Sequence, residues 1–200
     1  FLSREFLEEL RVPAVTLNNE FSGLPVIHSD DVQGGYMAAR HLIGKGCKCM
    51  VHISGQQDLH LSADVRMTSF MKECERQGVA CKVYSASEQM LWDMEYMPLI
   101  NRIFMENPDM DGIFASSDII AAQCIQMAGT LGYRIPEDIK IVGYDDICLS
   151  RLLYPPLTTV HQDIKGLAKT AMDTVEELIE GKQVPESQVV SVSFIERKTT

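Results

Sequence analysis

Basic residues are in short supply in this 200-residue chain, where Lys and Arg total 18 against 28 Asp and Glu for a formal charge of −10. That balance leaves no basic footprint for gripping phosphates and excludes nucleic-acid binding by these residues. Long apolar runs are missing too. Hydrophobic stretches break within about ten residues, short of the roughly 20 that span a bilayer, so no membrane segment is expected. No charged segment followed by an apolar one opens the chain, so no secretory leader is expected. Also absent are the G-x-G-x-x-G fingerprint, the G-x-x-x-x-G-K-[ST] loop and the G-x-S-x-G elbow. Ile43-Gly44-Lys45-Gly46 falls at a predicted helix end, where a phosphate would meet carbonyls rather than amides. Ser, His and Asp are present without a spacing that makes a triad. Binding without turnover is therefore expected, with no cofactor.

What is present is ordinary for a globular chain, with 46% hydrophobic and 23% charged residues. The length sits between one large domain and two small ones. Six cysteines, Cys47, Cys49, Cys74, Cys81, Cys124 and Cys148, are scattered rather than framed for disulfides, and read as buried free thiols of a reducing compartment. Cys47-x-Cys49 is half of a metal motif with no second pair, and His52 and His60 are the only other candidates nearby, so no metal is expected.

Helical and extended patterns alternate. Residues 4–10 read as the tail of a helix, followed by a strand at 14–17, a turn around Gly23 and an extended piece at 25–28. Ser29, Asp30 and Asp31 supply cap oxygens and first-turn acidity for a helix through Ile43 that stops at Gly46. Further strands are predicted at 49–54, 81–84, 112–116, 139–144, 158–161 and 189–195. Between them lie helices at 62–77, with Val65, Phe70, Met71 and Cys74 on one stripe, and at 94–106, with Pro98 in the first turn. Two more helices are predicted at 118–131 and 164–180. Short apolar strands joined by helices imply right-handed crossovers and a parallel sheet covered on both faces.

Ligands in open α/β sheets bind beyond the carboxyl ends of the strands. That rule selects Ser54-Gly55-Gln56, Ser116-Ser117-Asp118, Asp145-Asp146 and Gln162-Asp163. Such carboxylates, hydroxyls and amides suit a polyhydroxylated ligand better than a fatty one. Arg66, one turn into its helix, offers forked donors to neighbouring hydroxyls, or else pairs structurally with Asp145 or Glu73.

Ile135-Pro136-Glu137-Asp138-Ile139 leads into Val142-Gly143-Tyr144-Asp145-Asp146, and Pro155-Pro156-Leu157-Thr158-Thr159-Val160 follows with Gln162. With His41-Leu42-Ile43 and Gly46, Ile53 and Gly55, and a Ser116-Ser117-Asp118 segment with Ala121, this resembles the LacI/GalR family of bacterial transcription repressors. The resemblance implies an α/β, type I periplasmic-binding-protein-like fold, with parallel doubly wound sheets in two lobes. Residues 1–28 and 162–190 would belong to an incomplete amino-terminal lobe, and residues 29–161 and 191–200 to the carboxy-terminal lobe. The family's helix-turn-helix headpiece is expected to lie outside these residues.

By the same resemblance, Arg66 matches the effector-binding arginine and Asp145 the aspartate that accepts ligand hydroxyls. Ser117 occupies the place of an asparagine contact and lacks its amide donor. Gln162 at the last crossover, Ser62 one turn before Arg66, and Asn18 after the first strand are expected at the ligand. Trp92 falls near the aromatic that packs on it. The implied protein is the effector-sensing, dimerising core of a cytoplasmic repressor. It would take a small sugar-like effector between its lobes, form a homodimer and reach operator DNA through the headpiece. Arg66→Ala is expected to abolish the effector response while leaving folding largely intact. Three rivals share the frame: a periplasmic or lipid-anchored sugar-binding protein, a doubly wound enzyme, and a global regulator answering to a phosphorylated carrier protein.

Overall fold

The computed structural model describes residues 12–19, 23–55 and 62–200; the helix expected at 4–10, Gln56 and His60 lie outside the described residues. In chain order the elements begin β1 (Thr16–Leu17), β2 (Val26–Ser29), α1 (Asp31–Gly44), β3 (Cys49–Ser54), α2 (Ser62–Gln77) and β4 (Ala80–Ser85). There follow α3 (Glu88–Asp93), α4 (Met97–Glu106), β5 (Gly112–Ala115), α5 (Asp118–Leu131) and β6 (Lys140–Asp145). The chain ends with α6 (Cys148–Leu152), β7 (Thr158–Gln162), α7 (Ile164–Ile179), β8 (Ser187–Val190) and β9 (Val192–Ile195). They form two units, Phe1–Asp30 with Asp163–Ser191, and Asp31–Gln162 with Val192–Thr200.

The smaller unit has three parallel strands in the order β1-β2-β8. Ile27 packs there against Leu167 and Ala171 of α7, whose first turn is capped by Asp163 accepting from the Gly166 amide at 2.9 Å.

The larger unit holds a six-stranded sheet, β4-β3-β5-β6-β7-β9, parallel except where β9 runs antiparallel to β7. Alternation with period two splits its side chains between two cores. Val51, Ile53, Ile113 and Ile141 join Leu99, Ile103, Ile120 and Cys124 of α4 and α5. Met50, Phe114, Val142, Tyr144 and Val160 join Ala39, Leu42, Phe70 and Cys74 of α1 and α2. The strand predicted at 189–195 divides at Ser191, since β8 pairs with β2 and β9 with β7.

α1 and α2 touch closely at Gly35, where a Cβ would lie 2.3 Å from Ser69 Oγ and 2.4 Å from the Arg66 carbonyl oxygen. Glu73 locks them together. Its side chain, 1% exposed, takes Arg76 at 2.6 Å on its own helix and Arg40 from α1 at 3.2 Å. Hydrogen bonding to Arg76 leads in holding this carboxyl down to about 2. The buried stripe of α2 is thus Arg66, Ser69, Phe70, Glu73 and Cys74, whereas Val65 and Met71 of the predicted stripe are 40% and 41% exposed. The short helices α3 and α6 were not predicted, and α4 starts at Met97 rather than at 94. Cys47, Cys74 and Cys124 are buried thiols, but Cys49 and Cys148 are exposed. Among the described residues no helix is long and apolar enough to cross a membrane, and no group of His, Cys, Asp and Glu stands together as a metal site.

Candidate functional site

β3 is flanked by β4 on one side and β5 on the other, so the direction of winding reverses between β3 and β5. The connections leaving the carboxyl ends of these strands part there, and Arg66 lies at that end. It is 7% exposed. Its Nε donates to Asp31 Oδ1 at 2.6 Å, and its Nη1 donates at 2.9 Å to the Ser116 carbonyl that ends β5. The guanidinium carbon lies 3.7 Å from the Tyr144 ring centroid, and the Tyr144 hydroxyl donates to the same Asp31 oxygen at 2.8 Å. Burial pulls the Arg66 pKa down, yet Asp31, Tyr144 and Asp145 outweigh it and the net shift is upward. Nη2 has no hydrogen-bond partner among the described residues. The side chain is held on three sides, with one nitrogen left over.

The segment Gly143-Tyr144-Asp145-Asp146 places four groups in succession. A Cβ at position 143 would sit 2.3 Å from Asp118 Oδ1, so this glycine makes room for a carboxylate. Asp118 is fully buried and accepts from Thr159 Oγ1 at 2.6 Å and from the Ile147 amide at 2.9 Å. Burial nevertheless pushes its carboxyl up to about 7. Tyr144 faces Arg66, as described. Asp145 and Asp146 have φ of 110° and 56°, a left-handed backbone that costs about 1–3 kcal/mol per residue. Strain of this kind gathers where a side chain must be aimed.

Asp145 Oδ1 accepts from Gln162 Nε2 at 2.5 Å, and no donor among the described residues reaches its other oxygen. Burial pushes this carboxyl up and Arg66 opposes it. Asp146 is instead consumed structurally, by Arg197 at 2.5 Å, Ser150 at 2.9 Å and His161 at 3.1 Å.

Of the residues predicted to meet a ligand, Arg66, Asp145 and Gln162 come together at this rim. Ser117 is beside them, following the Ser116 carbonyl, and spends its oxygen as N-cap on the Ile120 amide at 3.4 Å. Ser62 opens α2, half-buried. Trp92 stands 69% exposed on α3, a helix with no buried residue. Asn18 belongs to the smaller unit, at φ 62°, with its Oδ1 accepting from the Ser29 amide at 3.3 Å. Sequence reasoning missed Asp31 as the partner of Arg66, reading it as helix-start acidity. It also expected Arg66→Ala to leave folding largely intact, which a buried ion pair contradicts. A separate recess of about 180 Å³, lined by Cys49, Cys81, Lys82, Glu106, Asn107 and Asp109 among others, opens at the opposite end of the strands.

A sequence model of the periplasmic binding protein-like domain matches residues 39–200. The ribose operon repressor of Halalkalibacterium halodurans is 34% identical over 203 residues, covering 100% of this chain and 60% of that protein. The chain therefore spans about three fifths of the length of this curated relative. A LacI family transcriptional regulator from Mycobacterium smegmatis superposes with a TM-score of 0.86 at 28% identity, over 98% of this chain and 72% of that one. A periplasmic binding protein/LacI transcriptional regulator from Alkaliphilus metalliredigens, complexed with D-xylulofuranose, gives 0.83 at 27% identity over 98% and 73%. The chain belongs to the periplasmic binding protein-like domain family.

Proposed function

We propose that this chain is the effector-sensing part of a transcription repressor, and that the rim of its larger unit binds a small polyhydroxylated ligand. One observation carries the reading: at the carboxyl ends of the strands, a buried arginine with a nitrogen uncommitted among the described residues stands near a strained aspartate with an oxygen uncommitted among them. A donor and an acceptor so placed match the adjacent hydroxyls of a sugar. Ser117, Ser62, Trp92 and Asn18 are proposed as further contacts. The relative named a ribose operon repressor supports transcriptional control over transport, and the neighbour holding D-xylulofuranose supports a sugar.

The rest of the proposal follows the family. The protein acts in the cytoplasm as a homodimer, catalyses no reaction, and contacts operator DNA through a separate headpiece. Leu152 and Tyr154, 75% and 95% exposed next to Pro155, give the larger unit an apolar projection for a second copy to cover. The test is a thermal-shift series with D-ribose, D-xylulose and sucrose. One of them should stabilise the chain by about 2.7 kcal/mol at a hundred times its Kd. Stabilisation by none of the three, at millimolar concentration, would contradict the reading.

A further inference from the structure

Resting on the reading of the rim as an effector site, we propose that Asp31 sets its charge selectivity: the site takes uncharged ligands and refuses phosphate esters. Arginine beside a cleft ordinarily attracts anions, because its fork matches phosphate. Here the charge is already spent. Asp31, its side chain 4% exposed, holds Arg66 Nε at 2.6 Å, and the Tyr144 hydroxyl completes the same carboxylate. Asp145, held by Gln162 at 2.5 Å, adds a second negative charge close enough for its electrostatic influence to be felt at Arg66.

Among the described residues, the other basic side chains near this rim are no more available. Arg197 and His161 both bind Asp146, and Arg197 also donates to the Leu157 carbonyl at 2.7 Å. Arg66, Asp31 and Asp145 sum to one negative charge, before the roughly two that a phosphate ester would bring. Neutral hydroxyls meet no such penalty, since Nη2 donates and Asp145 accepts without a net charge change. Arg66 therefore works as an oriented hydrogen-bond donor, and Asp31 is the residue that makes it one.

Calorimetric titration tests this with matched pairs: D-ribose and D-ribose 5-phosphate, D-xylulose and its 5-phosphate, sucrose and its 6-phosphate. In the wild type the sugar that binds should do so at least about tenfold more tightly than its own ester. Asp31→Asn should move that ratio at least about tenfold toward the ester, and should let inorganic phosphate register on the protein. Asp145→Asn, which removes a negative charge while leaving the Arg66–Asp31 pair in place, should shift the ratio the same way and covers a failure of Asp31→Asn to fold. An ester that binds the wild type as tightly as its sugar overturns the proposal, as does an unchanged ratio in a folded variant. Binding of neither sugar nor ester overturns the effector reading itself.

Discussion

Arg66→Ala should lose about 3–5 kcal/mol of stability as well as ligand binding, the range for removing one partner of a buried ion pair. Both side chains are almost entirely out of water, 9% exposed for Arg66 and 4% for Asp31. Truncating the arginine leaves Asp31 in the same enclosure with only the Tyr144 hydroxyl, 2.8 Å away, as a donor on Oδ1. It also removes the cation from the Tyr144 ring and the donor from the Ser116 carbonyl. Replacing both partners at once tells the two costs apart. Asp31→Leu with Arg66→Met fills the space without charge, and should recover most of the stability while leaving ligand binding abolished. Urea denaturation of the single and double variants measures this. A loss below about 1 kcal/mol in Arg66→Ala would mean that the pair carries no structural weight.

The second large effect is a dependence on pH. Asp118 titrates at about 7 in the folded chain, against an ordinary value of 3.8, and burial is the main cause. Its position at the first turn of α5 and its two hydrogen-bond donors favour the charge but do not outweigh desolvation. Between those two values the folded state holds a proton that the unfolded state has lost. Stability owed to this group therefore falls as pH rises from about 4, and the loss is complete above about 7. Over three units the amplitude is on the order of 4 kcal/mol.

His52 works in the opposite direction. Buried between Phe70 and Phe114, it titrates at about 3 instead of 6.5, so its contribution grows as pH rises through that interval. The wild-type profile superimposes the two, and Asp118→Asn separates them. The substituted side chain cannot ionise, and its carbonyl oxygen still accepts from Thr159 or from the Ile147 amide. Urea midpoints from pH 5 to 8.5 should show the variant gaining on the wild type by about 2–3 kcal/mol. Parallel profiles would show that Asp118 is ionised throughout.

Much of the larger unit was legible in the sequence because its elements end on local signals. α5 spans the predicted 118–131 and ends at Gly132 with φ 82°, a stop read from residue type alone. The carboxyl ends of β5, β6 and β7 then placed Ser117, Asp145 and Gln162 at one rim without any knowledge of contacts. Apolar periodicity failed on α2, since its buried face carries Arg66 and Glu73, and a charge enters a core only beside partners elsewhere in the chain. Those partners are tertiary facts: Asp31 lies 35 residues before Arg66, and 113 before Tyr144. The short helices α3 and α6 offered little apolar pattern, with no buried residue in the first and only Ser150 in the second. Nor does alternation within 189–195 reveal that the strand changes sheets, because a period of two is the same in both.

A ligand bound at the rim would meet Arg66, Asp145 and Gln162 together. Nitrogen-15 correlation spectra of the chain, titrated with whichever of D-ribose, D-xylulose or sucrose binds, test it most directly. The Arg66 Nε–H and Gln162 Nε2–H₂ signals should move together with the backbone amides of Asp145 and Asp146. Shifts confined to Cys49, Cys81, Asn107 and Met110 would place the ligand in the recess at the opposite end of the strands and contradict it.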